Sequence, residues 1–199
     1  MKGPYLGDDP LATLRHALRE PRIPGIAVEF GVASGKTAAI IAEHLPIVGF
    51  DSFDGLPEAW RPGFPKGMFA RPTPPPFPGE LVVGWFADTL PGWEPPEPVA
   101  FVHIDCDLYS STVTVLQHMA PHLRPGVVVV FDEHHGYEGW EDHEAKAWAE
   151  YTRRTGTQWS PIGHGPEQLA LRIESSSSSP GGTGATLTAG PTLTPSPPT

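Results

Sequence analysis

Residues 26–51 read IAVEFGVASGKTAAIIAEHLPIVGFD, and this stretch decides the fold. An apolar run at 26–32 is broken by Gly31, and Gly35 follows four positions later. KTAAIIAEHL (36–45) has the apolar spacing of a helix, and a second short apolar run, IVGF (47–50), stops at Asp51. Strand, glycine turn, helix and strand in that order make a βαβ unit, whose two strands lie parallel in one sheet. Strand interiors without polar alternation belong to a sheet covered on both faces.

The same grammar continues outward. Upstream, LATLRHALRE (11–20) places Leu11, Leu14 and Leu18 on one helical face and ends at Pro21. Downstream, residues 55–80 are rich in proline, glycine and aromatics, a long irregular loop of the length that lids and binding loops have. Strands are expected at ELVVGWF (80–86), VAFVHI (99–104) and VVVVF (127–131), with a helix at 112–123 between the last two. An exposed helix over 141–155, closed by Gly156, precedes two short strands at 157–162 and 168–173 that form a hairpin-like edge. The fold class is α/β: a doubly wound, mostly parallel sheet with helices on both faces.

The 199 residues, 39% of them hydrophobic, suffice for one such domain and not for two. That domain is expected over 1–174. From Ser175 to Thr199 the chain is Ser/Pro/Gly/Thr-rich, without charge, aromatic residue or period, and reads as a disordered tail. Thirteen basic against twenty-three acidic side chains give a formal charge of −10, with no basic cluster, so nucleic acid is not an expected partner. The single cysteine, Cys106, allows no internal disulfide and reads as a small buried residue in a reducing, cytoplasmic protein. No signal-peptide pattern or transmembrane-length run is present, so no membrane partner is expected either.

In open α/β sheets ligands bind beyond the carboxyl ends of the strands, where the strand order reverses. Glu29-Phe30-Gly31 and Gly35 stand at the first strand end, Asp51-Ser52-Phe53 at the second and Asp88-Thr89 after the third. Asp105-Cys106-Asp107 follow the fourth strand, and Asp132-Glu133-His134-His135 the fifth. Gly31 and Gly35 permit a tight turn and close approach of backbone to a ligand. The string Gly31–Thr37 is one residue too short between its glycines for a phosphate-binding P-loop, and it lacks the dinucleotide Gly-x-Gly-x-x-Gly. A ligand without phosphates suits it better, with Asp51 placed to accept from ribose hydroxyls.

Asp105, Asp107, Asp132 and Glu133 stand at neighbouring strand ends, and such clustering calls for a counter-charge. All-oxygen donors suit Mg²⁺ or Mn²⁺. The competing reading is that Asp107 merely caps a helix starting near Tyr109. His134 and His135 read as loop residues rather than ligands, and Trp140 and Trp148 as packing or pocket wall.

VEFGVASGKTAAIIA, GFDSFDGLPEAW, GWFADTLP, HIDCDLYSST and GVVVVFDE, in this order over residues 25–150, together resemble the macrocin O-methyltransferase (TylF-like) family. The resemblance implies a class I, Rossmann-like methyltransferase with seven strands, the last antiparallel. It implies S-adenosylmethionine and Mg²⁺ as cofactors, and a hydroxyl of a sugar or other natural product as methyl acceptor. By position, Glu29, Gly31, Gly35, Asp51, Ser52 and Phe53 match the cofactor site. Asp105, Asp132 and Glu133 match the metal ligands, and Asp107 the general base. Asp88 and Thr89 match a segment near the cleft without an assigned role. The departures are a short N-terminal segment, the proline-rich loop at 60–80 and the tail. Homodimer formation stays open, as do transfer to nitrogen or carbon, a non-catalytic nucleoside-binding subunit and a metal-dependent hydrolase using His134 and His135.

Overall fold

The computed structural model describes residues 3–175. Seven strands form one sheet in the order β3-β2-β1-β4-β5-β7-β6. They are β1 Ile26–Phe30, β2 Ile47–Asp51, β3 Glu80–Val83, β4 Val99–Ile104, β5 Val128–Phe131, β6 Gln158–His164 and β7 Leu169–Ser175. β1 to β5 are mutually parallel, and β7 runs antiparallel to both β5 and β6. The strand order reverses between β1 and β4, which pair through Glu29↔His103 and Phe30↔Ile104. A ligand crevice is expected above that junction.

Alternate strand residues feed two cores. Val28, Phe30, Phe50, Val102, Ile104 and Phe131 face α4 (Tyr109–Met119) and α5 (Glu144–Thr155). Ala27, Phe101, Val128 and Val130 face α1 (Ala12–Ala17) and α2 (Lys36–Ala42), which contribute Leu14 and Ile41. Each fully buried Phe or Leu stabilises the fold by roughly 1.5–3 kcal/mol. With both faces covered, every residue of β1, β4 and β5 is buried, which is why these strands read as apolar runs interrupted only by Glu29 in β1 and His103 in β4.

Several boundaries differ from the sequence expectation. β3 stops at Val83, and Phe86 instead opens a one-turn helix (Phe86–Thr89, α3 in chain order) so that its ring meets Phe30 edge-on at 5.7 Å. The helix expected at 112–123 begins earlier, at Tyr109. Ser175, assigned to the tail, ends β7; the rest of the tail lies outside the described residues. Gly156 closes α5 in the left-handed conformation, as its position suggested. Among the described residues no helix is long and apolar enough to cross a membrane.

The 55–80 segment is irregular but anchored. Backbone hydrogen bonds close a small loop there, Leu56 N–H donating to the Met68 carbonyl and Gly67 N–H to the Leu56 carbonyl. Leu56 and Trp60 pack with Leu108, flanked by Phe64, Met68 and Tyr137. This satellite core holds the segment against the carboxyl end of β4.

Candidate active site

An open cleft with about 550 Å³ of empty space lies above the β1/β4 junction. On one side stand Gly31, Ala33, Asp51 and Ser52, and on the other Asp105, Cys106 and Asp107. Trp85 and Phe86 from the end of β3, with Leu56, Pro57 and Phe69 from the long loop, add apolar surface.

Gly31 has φ +92°, and a Cβ there would lie 1.8 Å from the carbonyl oxygen of Asp105. No side chain fits, so glycine is required for the first turn to close against the β4 end. The turn is then fixed by Asp51. Its Oδ2 accepts from the N–H groups of Val32 and Ala33, both at 2.8 Å, and its Oδ1 accepts from Phe53 N–H at 2.7 Å. A carboxylate offers about four lone-pair sites, so Asp51 clamps the loop and keeps one acceptor position for a ligand. Gly35 starts α2 in the left-handed conformation and does not line the cleft; Ala33 does. Ser52 lines it, whereas Phe53 is buried behind it with φ +60°.

Glu29 departs from its expected place. It is fully buried, absent from the cleft wall, and its Oε1 lies 3.0 Å from Nδ1 of the equally buried His103. Burial alone would lower the His103 pKa, but the hydrogen bond and charge of Glu29 outweigh it and the net direction is upward. The pair braces β1 against β4 beneath the turn.

Across the cleft stand Asp105 and Asp107; Asp132 and Glu133 do not line it, but a carboxylate oxygen of Glu133 lies within 4.8 Å of those of Asp105 and Asp107. Asp132 stands outside this trio, yet its charge acts on all three. Burial, then Asp132 and Asp107, push Asp105 well above the usual carboxylate range. Burial, then Asp105 and Asp132, do the same to Glu133. Burial and Asp132 push Asp107 up to about 7, against the opposing charge of Arg61 and a hydrogen bond with Glu133. Asp107 does not cap α4: the cap position is Leu108, with no side-chain cap bond. Its φ of +63° is instead a left-handed non-glycine conformation of the kind held at functional sites. Glu133 Oε2 is buried without a hydrogen-bond partner among the described residues. Three crowded carboxylates and an orphaned buried oxygen fit a hard divalent cation.

Sequence reasoning missed three neighbours. Glu144, on the first turn of α5, is fully buried, and its oxygens accept from the Cys106 and Glu133 N–H groups at 3.4 and 3.3 Å. Burial and then Asp107 push its pKa well above the usual range. A signal was present: Glu144, Ala147, Trp148 and Tyr151 share an i, i+3, i+4, i+7 stripe, so Glu144 belongs to the buried face. Arg61 and Trp60, from the long loop, carried no comparable signal. The Arg61 guanidinium stacks 4.0 Å from the Trp60 ring and 4.3 Å from Tyr137, and pairs with Glu167 at 3.3 Å. His134 and His135 stay outside the carboxylate trio. His135 is buried against Trp140 and His164 rather than facing solvent, and Trp148 is core packing against Phe131. Asp88 is exposed on α3, and Cys106 is buried with Sγ 3.5 Å from the Thr112 hydroxyl.

A seven-stranded Rossmann-like sheet whose last strand runs antiparallel is the fold of the class I methyltransferases. Residues 28–134, more than half of the chain, match the family described as Methyltransferase domain, and the chain belongs to that family. Among particular proteins, it is 29% identical over 141 residues to the 8-demethyl-8-(2,3-dimethoxy-alpha-L-rhamnosyl)-tetracenomycin-C 4'-O-methyltransferase of Streptomyces olivaceus, covering 56% of this chain and 54% of that one. A shorter match, 41% identical over 51 residues, reaches the mycinamicin III 3''-O-methyltransferase of Micromonospora griseorubida, covering 26% of this chain and 20% of that one. The chain thus spans about half the length of the first of these curated relatives and less of the second. Among solved structures, the calicheamicin methyltransferase CalS11 superposes with a TM-score of 0.63 at 25% identity, over 82% of this chain and 76% of that one. The O-methyltransferase NovP gives 0.61 at 22% identity over 76% and 73%, a likeness of fold.

Proposed function

We propose that this chain is an S-adenosylmethionine-dependent O-methyltransferase whose acceptor is a hydroxyl of a sugar or other natural product, assisted by a divalent cation, Mg²⁺ or Mn²⁺. The observation that carries the reading is Asp105 and Asp107 facing, across one cleft, a turn that Gly31 and Asp51 shape, with a Glu133 oxygen within 4.8 Å of theirs behind the wall. The relatives named above methylate oxygen, and the two curated ones act on natural products. The excess of acidic side chains, without a basic cluster, favours a small acceptor over nucleic acid.

S-adenosylmethionine would supply the methyl group, and the cation would supply charge that lowers the pKa of the acceptor hydroxyl. The chain's own residues do the rest. The Val32–Ala33 turn, clamped by Asp51, and the wall of Ser52, Trp85 and Phe86 shape the cofactor half. Asp105 and Glu133, with Asp132 beside them, offer the oxygens that hold a cation. Asp107 faces the reacting half and accepts the acceptor's proton. Leu56, Pro57 and Phe69 limit water on the open side. Positioning two reactants in this geometry is the main task of such a site.

Titration calorimetry with S-adenosylmethionine and S-adenosylhomocysteine tests the first step, followed by a product screen over hydroxylated sugars and phenols with Mg²⁺. Binding of neither nucleoside at millimolar concentration overturns the reading. Binding without transfer to any acceptor, and without cation uptake, would favour a non-catalytic nucleoside-binding subunit.

A further inference from the structure

The Glu144 carboxylate accepts from a backbone N–H on each of the two loops that carry the acidic trio. Oε1 accepts from the N–H of Cys106, the residue between Asp105 and Asp107, at 3.4 Å. Oε2 accepts from the N–H of Glu133 at 3.3 Å. These loops leave different strands; at their roots the Asp132 N–H donates to Ile104, and the Asp107 and Glu133 side chains share a hydrogen bond. Glu144 also spans the gap. Its own place is fixed by α5, whose Ala147, Trp148 and Tyr151 are sunk in the core, with Trp148 packed on Phe131 at 5.4 Å.

A carboxylate is a costly choice for this job. Glu144 is fully buried beside four other acids, none of which it needs for packing, and an apolar residue there would remove a repelling charge. What only a carboxylate provides is two acceptor oxygens facing two backbone donors. The geometry points to Glu144 as a positioning residue: a two-oxygen clamp that sets the separation of the β4 and β5 loops, and so the spacing of Asp105, Asp107 and Glu133. The reactive groups remain Asp105, Asp107 and Glu133; Glu144 acts through their backbone. This inference rests on the methyltransferase reading for its kinetic consequence, but not for its structural one.

The test is Glu144→Gln in the full chain, read three ways. In Gln one oxygen becomes an NH₂ that faces a backbone N–H, so one bond is lost and two donors oppose each other. Amide exchange at Cys106 and Glu133 should accelerate, while amides within β1 stay as protected as before. S-adenosylmethionine affinity should hold within about twofold, whereas turnover should drop and half-saturating Mg²⁺ should rise by about ten- to a hundredfold, the usual range for residues that orient ligands. Glu144→Met, similar in volume and without charge, should show the same kinetic split with thermal stability held or raised. A merely structural role would instead lower stability and cofactor affinity together with turnover, and that outcome overturns the clamp. Unchanged amide exchange with unchanged turnover also overturns it. Failure of the wild-type chain to bind S-adenosylmethionine refutes the functional reading alone, and the exchange measurement still decides the clamp.

Discussion

Removing divalent cations and raising the pH from about 5 to about 8 is expected to destabilise this protein in proportion to how far its acids are pushed from their ordinary pKa. A carboxyl whose pKa is higher folded than unfolded keeps its proton longer in the folded state. Its stabilising contribution is complete below the unfolded value and is lost as the pH climbs through the folded one. Asp107 alone moves from 3.8 to about 7. At about 1.36 kcal/mol per tenfold change in proton affinity, that is on the order of 4 kcal/mol at most. Asp105, Glu133 and Glu144 are shifted in the same direction. Losses of this size rival the whole stability of an ordinary domain, about 5–15 kcal/mol. Mg²⁺ held by Asp105 and Glu133, with Asp132 beside them, works the other way, contributing about 2.7 kcal/mol at a hundredfold excess over its Kd. Burial lowers the pKa of His122 and His143, so these neutral imidazoles make stability rise with pH. That drift is common to chelated and Mg²⁺-loaded samples and cancels in their difference. The assay is urea unfolding by far-ultraviolet circular dichroism in EDTA and in Mg²⁺ at matched ionic strength. The stabilisation by Mg²⁺ should be small near pH 5 and grow steadily to pH 8. A difference that stays flat or shrinks with pH would refute the reasoning.

Three substitutions probe the two halves of the cleft. Asp107→Asn keeps the shape and removes the base, so turnover should fall by about 10²–10⁴-fold with S-adenosylmethionine affinity unchanged by calorimetry; retained turnover would remove Asp107 from the mechanism. Gly31→Ala drives a methyl onto the Asp105 carbonyl at a φ that alanine rarely adopts, and should cost about 3 kcal/mol or more in urea unfolding and abolish cofactor binding. Arg61→Met keeps the aliphatic stem but removes the stack on Trp60 and Tyr137 and the pairing with Glu167. A loss of about 1–2 kcal/mol is expected, along with a raised acceptor KM at constant cofactor affinity in steady-state kinetics.

The strands were legible because both sheet faces are covered. IAVEF, VAFVHI and VVVVF each read as an apolar run and each is buried throughout. Gly31 and Asp51 were legible because a backbone contact and a strand-end acid leave a mark at fixed spacing. Glu29 was misplaced, since an acid next to the glycine turn reads as a ligand contact until the β1–β4 register shows it opposite His103. Pairing across a sheet depends on residues some seventy positions apart, which local spacing does not encode. Likewise Phe86 looked like the end of a strand, because an apolar residue has no preference between finishing β3 and starting a helix; its edge contact with Phe30 decides. Arg61 was illegible for a third reason. Its position follows from the path of a long loop, and only the packing of Trp60 and Leu56 on Leu108 sets that path.

The buried and half-buried acids around the cleft divide by what their oxygens do. Asp51 and Glu144 spend theirs on backbone N–H groups, three for one and two for the other, and thereby shape the loops on the two sides of the cleft. Glu133 keeps a buried oxygen without a partner, and Asp105 and Asp107 crowd against it. In the folded chain the first pair is already satisfied, while the trio carries repulsion that protons relieve at low pH and a cation relieves at neutral pH. The repulsion does not push the loops apart, because Gly31 seats one turn against Asp105 and Glu144 ties the Cys106 and Glu133 backbones. Charge held in place by committed backbone, rather than by neighbouring side chains, is preorganised for a ligand that brings the missing positive charge. The acids that build the site and the acids that serve it are therefore different residues, although Asp51 and the trio all stand alike just after strands in the sequence.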